Sequence, residues 1–155
     1  MVIRKKEIMK NNYEQDDFAG EMLKFELEDT DYFLLFDDNG RVAYAYLYKG
    51  DEIIGDVWLY NVCPAPLEPE WKHRSKPPFA NPKKFISDRI IKPIFSPNEL
   101  TVKWEKDEND DFLTVLIYLR GELFAGISPG SKPGWSRLTI KNGPLSKTMP
   151  EKMQT

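Results

Sequence analysis

The sequence predicts an α+β fold that consists mostly of antiparallel strands, arranged as two strand meanders that are each followed by a short helix. Three observations predict it. Segments of alternating apolar residues recur along the chain, hairpin turn residues separate them, and a proline opens each of two short segments outside this pattern. The length of 155 residues and the 41% hydrophobic content predict a single compact domain that covers residues 1–155.

The first predicted meander covers residues 11–61. Asp-Asn-Gly at 38–40 is a strong hairpin signal, because glycine supplies the positive φ that a tight turn needs. Residues 42–48 alternate with a period of two, and both of their faces are largely apolar, which indicates a well-buried strand. The predicted strands are 22–27, 32–36, 42–48 and 53–60.

A proline-rich connection follows at residues 62–82. Six of its 21 residues are prolines, which lack the amide donor of a central strand. Asn81-Pro82, followed by KKFISDRI, has the pattern of an N-cap with proline at the first helical position. We therefore expect a short helix over residues 82–91.

The second predicted meander covers residues 100–140. Its strands are expected at 100–106, 112–119, 123–127 and 135–140, with turn residues between them. Pro144 opens a short C-terminal helix predicted over 144–149. The segment YLYKGDEIIGDV at 46–57 is similar in sequence to YLRGELFAGI at 118–127. This similarity has two interpretations, an internal duplication or the turn residues that all hairpins share.

The counts of cysteine and histidine exclude several kinds of site. The chain has one Cys, Cys63, and one His, His73, so it can form no internal disulfide and no zinc cluster of cysteines and histidines. Cys63 follows a buried strand and His73 lies in the proline-rich connection, with no acidic motif to orient it. We therefore predict no catalytic residue, no metal ligand and no cofactor. An enzyme that uses these two residues is kept as a third hypothesis.

The expected cellular location of the protein is based on the absence of a signal peptide and of a membrane-spanning segment from the sequence. Residues 1–20 contain no apolar run of signal-peptide type, and no segment has the apolar length of a membrane span. A single unpaired thiol is typical of a reducing interior. We expect a cytoplasmic protein without a membrane partner.

Charge is strongly segregated along the chain. The net charge of −3 combines segments of −9 at 11–40, +6 at 72–92, −4 at 105–111 and +4 at 132–152. Such blocks are either solvated loops or surfaces that attract a partner of opposite charge. For a basic partner, the candidate contacts are Asp16, Asp17, Asp107, Glu108, Asp110 and Asp111, and the candidate aromatic anchors are Trp71 and Phe79.

A second function remains open at this point, the binding of single-stranded nucleic acid. Proteins of that class combine exposed aromatic rings with a basic groove. The candidate stacking residues are Tyr44, Tyr46, Tyr48, Trp58, Tyr60 and Trp104, and the candidate basic residues are Lys72, Arg74, Lys76, Lys83 and Lys84. The acidic segments would repel phosphate, which makes nucleic acid the less favoured partner.

The order of meander, helix, meander and helix is similar to the duplicated Whirly-type fold, whose known members bind single-stranded nucleic acid. The chain also resembles bacterial immunity proteins of contact-dependent growth inhibition. The residues that carry the resemblance are YLYKGDEIIGDVWLYN at 46–61, NPKKFISDRI at 81–90, FLTVLIYLRGELFAGISPG at 112–130 and NGPLSK at 142–147. The lysine-rich signature of Whirly proteins has no clear counterpart in this sequence.

The second resemblance implies a function. Immunity proteins are small cytosolic proteins that bind and block the toxin domain of a cognate surface protein, often a nuclease. We therefore expect a non-enzymatic immunity protein that covers the active site of a basic, RNase-like toxin domain. Its acidic residues would steer it onto the positive cleft that holds phosphate.

Overall fold

The chain forms two antiparallel sheets. In the computed structural model, the described residues are 3–8, 21–72, 77–94, 96–109 and 111–154. The first sheet has the strand order β1-β2-β3-β4-β5 and the second has the order β6-β7-β8-β9. The strands are β1 Ile3–Ile8, β2 Glu21–Leu27, β3 Tyr32–Asp38, β4 Val42–Lys49, β5 Glu52–Asn61, β6 Leu100–Lys106, β7 Phe112–Leu119, β8 Glu122–Ile127 and β9 Trp135–Ser136. The prediction of a mostly antiparallel β fold is confirmed.

One apolar core lies between the two sheets. Strand β2 buries alternate residues Leu23, Phe25 and Leu27, and β6 does the same with Leu100, Val102 and Trp104. Side chains from both sheets belong to the same buried cluster. This is the period of two that a strand with one buried face requires.

The β8–β9 loop joins the two sheets along β5. Gly130 N donates to Ile54 O at 2.7 Å, and Asp56 N donates to Ser131 O at 3.0 Å. At Gly55, an added Cβ would lie 2.5 Å from Ile127 Cγ2 at the end of β8 and 3.2 Å from Ser131 O of the loop, so glycine lets β5 approach both. Strand β5 is the last strand of its sheet, and these backbone hydrogen bonds with the β8–β9 loop pair part of its outer edge.

The prediction that a short helix follows each meander is wrong. The helix expected over 82–91 is reduced to one 3-10 turn, Lys83–Phe85. Beyond it, Ile86 forms an antiparallel bridge with Thr139, and Ser87 N donates to Leu138 O at 2.8 Å. The Ser87 amide and the Phe85 carbonyl, which accepts from Ile140 N at 2.8 Å, are therefore used in pairing with the end of the second meander and not in a helix.

The C-terminal part of the chain also differs from the prediction. Residues 144–149 contain no helix, and a 3-10 turn lies instead at Glu151–Met153. The last strand is limited to Trp135–Ser136, because the chain turns at Arg137. The first sheet also contains a strand that was not predicted, β1 at Ile3–Ile8.

The remaining 3-10 turns are Glu70–Lys72 and Pro97–Glu99, the second of which carries a capping box between Ser96 and Glu99. Each helical turn in the described part of the chain has three residues, and no helix there is long and apolar enough to cross a membrane.

Candidate functional site

Three acidic turns lie at one end of the molecule. Gly50 N donates to Asp31 O at 2.9 Å, so the β4–β5 turn touches the β2–β3 turn. The β6–β7 turn lies toward the same end, because Thr114 at the start of β7 donates to Ile127 O, and Ile127 packs against Gly55, in the half of β5 that follows the β4–β5 turn. Residues that are far apart in sequence thus share one surface.

We call this surface the acidic end. Among the described residues, its exposed carboxylates are the eight of Glu28, Asp29, Asp31, Asp51, Glu52, Asp107, Glu108 and Asp111. In the same part of the structure, the exposed cations of these turns and of the adjoining β8–β9 loop are three lysines, Lys49, Lys106 and Lys132. Negative charge therefore dominates this end, and its electrostatic field reaches about 10 Å into solution at moderate salt.

The predicted acidic contacts fall partly on this end. Glu108 and Asp111 are exposed there. Asp107 is exposed too, but its Oδ1 atom accepts from Asn109 N at 2.8 Å and from Asp111 N at 3.0 Å, so it also holds the turn together. The other predicted contacts, Asp16, Asp17 and Asp110, lie outside the described residues. Sequence reasoning missed the carboxylates of the other two turns, although their hairpin positions marked them as exposed.

The two predicted aromatic anchors lie at the opposite end. Trp71 is half-buried, with its ring 6.3 Å from that of Phe85. Phe79 is also half-buried, and its carbonyl accepts from Tyr44 Oη at 2.7 Å. Tyr44 stands six residues before Gly50, which places the anchors about 20 Å from the acidic turns at the usual rise of a strand. The structure does not bring the predicted anchors and the predicted acids together.

A second surface adjoins the acidic end, on the outer face of the first sheet. The strand register aligns Lys24, Leu35, Tyr46 and Asp56 in one row across β2 to β5. The next row toward the acidic end contains Glu26, Phe33, Tyr48 and Ile53. We call the half-buried side chains Phe33, Leu35, Asp37, Tyr46, Tyr48 and Asp56 the tyrosine face.

The rings of this face are ordered by stacking. Phe33 and Tyr48 stack across two strands with ring centroids 4.6 Å apart. Tyr46 stacks on Tyr44 with centroids 5.9 Å apart. Lys24 Nζ lies 4.3 Å from the centre of the Phe33 ring and 3.8 Å from a carboxylate oxygen of Glu26. These contacts hold the rings in fixed positions on an otherwise open sheet face.

Two carboxylates flank the Tyr46 ring. Asp56 lies directly opposite Tyr46 in the register, and Asp37 is paired with Tyr44, one row away. Burial raises the pKa of both carboxyls, and the charge of Asp38 raises the pKa of Asp37 further. Burial and the charges of Asp37 and Asp56 together raise the pKa of Tyr46. Negative charge is therefore concentrated around this ring.

Cys63 does not have the surroundings of a nucleophile. Its thiol is half-buried, and burial raises its pKa, which disfavours the reactive thiolate. It lines a hollow of about 340 Å³ together with Trp58, Pro64 and Ile86. His73 lies outside the described residues. No cluster of three or more metal-binding side chains occurs among the residues that the structure describes.

The aromatic residues considered for base stacking are mostly inaccessible. Tyr44, Trp58, Tyr60 and Trp104 are buried, and only Tyr46 and Tyr48 are half-buried. Of the candidate basic residues, Lys72 is near Glu68 and Lys84 lies over the Phe85 ring, while Lys83 is exposed. Arg74 and Lys76 lie outside the described residues. The half-buried tyrosines therefore face carboxylates rather than a basic groove.

Comparison with known proteins found no matching family model, no matching curated protein and no matching solved structure. The resemblances to Whirly-type and immunity proteins stay predictions.

Proposed function

We propose that this protein binds a basic protein partner through the acidic end and acts as an immunity protein that blocks a bacterial toxin domain. The observation that carries the proposal is the position of three acidic turns at one end of the molecule, where the described residues include eight exposed carboxylates and three exposed lysines. A surface of this kind speeds the encounter with a basic protein and suppresses other partners.

The proposed mechanism is occlusion. A nuclease toxin carries a positive cleft that holds phosphate, and the acidic end would occupy this cleft in place of the nucleic acid. A stable complex buries about 800 Å² on each partner. The acidic end and the adjoining tyrosine face together provide charged and aromatic surface for such an interface.

The second function, nucleic-acid binding, has less support. Four of its six candidate stacking residues are buried, and base stacking needs an exposed ring face. The two half-buried tyrosines lie beside carboxylates that would repel phosphate.

The test first searches the neighbouring genes for a large secreted protein with a toxin-like C-terminal domain, and this domain is the binding partner in the measurements. Glu108→Lys with Asp111→Lys reverses two charges of the acidic end, and neither substitution removes the turn-forming carboxylate of Asp107. Asp88→Lys with Glu151→Lys is the matched control, because it changes the net charge equally at exposed positions outside this end.

We expect the reversal at the acidic end to lower the association rate at least about ten-fold at low salt, and to weaken its salt dependence. The control variant should associate within about two-fold of the unmodified protein. Stopped-flow fluorescence measures the rate, and protection of cells that express the toxin domain measures the function. Equal rates for the two variants would refute the proposal, as would a gene neighbourhood without a secreted toxin.

A further inference from the structure

The tyrosine face contains two carboxylates for which the described part of the chain provides no side-chain partner. Among the described residues, neither Asp37 nor Asp56 has a side-chain hydrogen bond or an ion pair within 4.0 Å. The charge of Lys132 acts on Asp56, but Lys132 is itself exposed on the β8–β9 loop. Half-buried carboxylates without a partner cost stability in the free protein. A bound cation would offset this cost.

The same face already shows what such a cation would contact. Lys24 lies over the ring of Phe33 and beside the carboxylate of Glu26. This arrangement joins a cation–π contact to an ion pair. Tyr46 provides a similar ring beside carboxylates, those of Asp37 and Asp56. The described part of the chain places no lysine or arginine over the Tyr46 ring.

The geometry favours arginine over lysine as the occupant. A guanidinium group is planar, so it stacks on a ring face while its edge donates several hydrogen bonds to carboxylates. Tyr46 provides the ring, and Asp37 and Asp56 provide acceptors on two different strands. A lysine ammonium group is more strongly hydrated and cannot stack in this way.

We propose that the tyrosine face binds an arginine side chain of the basic partner, with the guanidinium group over the ring of Tyr46 and between Asp37 and Asp56. This inference rests on the proposed function, since it assigns a specific contact to the same partner. Tyr46 stands four residues before Gly50, so the pocket lies about 13 Å from the β4–β5 turn. One interface of ordinary size spans that distance.

The first test needs no cognate toxin. N-acetyl-argininamide is titrated into the full-length protein, with N-acetyl-lysinamide and N-acetyl-glutaminamide as comparison probes, and backbone amide signals are followed by NMR. We expect the arginine probe to shift signals of Asp37, Tyr46 and Asp56 at millimolar concentration. Equal shifts with lysinamide would overturn the assignment of arginine, and shifts confined to the acidic turns would overturn the site.

Variants separate this site from general electrostatic attraction. Asp37→Asn with Asp56→Asn removes the two carboxylates, and Asp51→Asn with Glu52→Gln removes the same charge from the acidic end. We expect the first pair to raise the dissociation constant for the arginine probe at least about ten-fold and the second pair less than about three-fold. Equal weakening by both pairs would overturn the proposal.

The cognate toxin domain then distinguishes this inference from the proposed function. Loss of binding with the acidic-end reversal, but normal binding by the Asp37→Asn and Asp56→Asn variant, would leave the proposed function standing and overturn the arginine site. Normal binding by both variants would overturn both. Weaker toxin binding by both variants supports both proposals, provided that the arginine probe still shifts the Tyr46 signal in the acidic-end variant.

Discussion

Replacement of Tyr60 by phenylalanine tests a buried hydrogen bond between two side chains of the first sheet. Tyr60 and Asp38 are 1% and 2% exposed, and Tyr60 Oη donates to Asp38 Oδ2 at 2.8 Å. The other carboxylate oxygen, Oδ1, accepts from Gly40 N at 2.9 Å. Tyr60→Phe keeps the ring in the core and leaves Oδ2 of Asp38 without this donor.

The expected cost follows from that geometry. A buried hydrogen bond to a charged group contributes about 1.5–3 kcal/mol, so we expect the free energy of unfolding to fall by about 2 kcal/mol at neutral pH. For a chain of this length that corresponds to a decrease in Tm of about 4–8 °C. Tyr118→Phe, at a half-buried residue of β7, is the matched control and should cost less than about 0.5 kcal/mol.

The penalty should depend on pH in a defined direction. Burial raises the pKa of Asp38 from its usual 3.8, while the hydrogen bonds from Gly40 and Tyr60 lower it. Loss of the Tyr60 hydroxyl therefore raises the folded-state pKa further. The penalty is fully present above that pKa and shrinks as the pH falls through it, because a protonated carboxyl no longer needs the donor.

Urea unfolding followed by tryptophan fluorescence at neutral and acidic pH measures these effects. The double variant Asp38→Asn with Tyr60→Phe should cost less than the sum of the single variants, because the two residues share one hydrogen bond. A penalty for Tyr60→Phe that equals that of Tyr118→Phe, or that does not change with pH, would refute the reasoning.

Two further predictions concern β5 and the tyrosine face. Gly55→Ala should lower the free energy of unfolding by about 1–3 kcal/mol, because the new Cβ would meet Ile127 Cγ2 at 2.5 Å; unchanged urea unfolding would contradict the close approach of β5 to the β8–β9 loop. Asp37→Asn with Asp56→Asn should make the protein more stable at neutral pH, because burial raises the folded-state pKa of both carboxyls. Their favourable contribution is present below the unfolded value of 3.8 and is lost as the pH rises through the folded-state pKa. The gain should therefore shrink on acidification, and a variant that is less stable at neutral pH would show that these carboxylates are already satisfied.

The strands could be predicted from the sequence because their signal is local. Alternating side chains and turn residues predicted eight strand positions, of which seven agree with the structure within about two residues. The eighth, at 135–140, ends early at Ser136. Strand β1 was missed because IRKKEI carries mostly charged residues and does not alternate clearly.

The helix at 82–91 could not be judged from local signals alone. Pro82 was expected at the first helical position, but its ψ of 153° is extended, so it is the N-cap of the single turn Lys83–Phe85. The next residue, Ile86, pairs with Thr139, which is more than fifty positions away in the sequence. Long-range pairing of the backbone thus outweighed a helix propensity of a few tenths of a kcal/mol per residue.

The sequence by itself determined where most of the strands and turns lie, that the turns carry acidic residues, and that one cysteine and one histidine can form neither an internal disulfide nor a zinc cluster of cysteines and histidines. Only the tertiary structure decided which of these features share a surface. It placed the three acidic turns at one end, two of them in contact through Gly50 and Asp31, and it separated them from Trp71 and Phe79 by the length of a strand. It also buried Tyr44 and left Tyr46 half-buried between carboxylates. The physical reason is that proximity across a sheet depends on strand register and on how the sheets pack, whereas the sequence pattern reports only which face of its own strand a residue occupies.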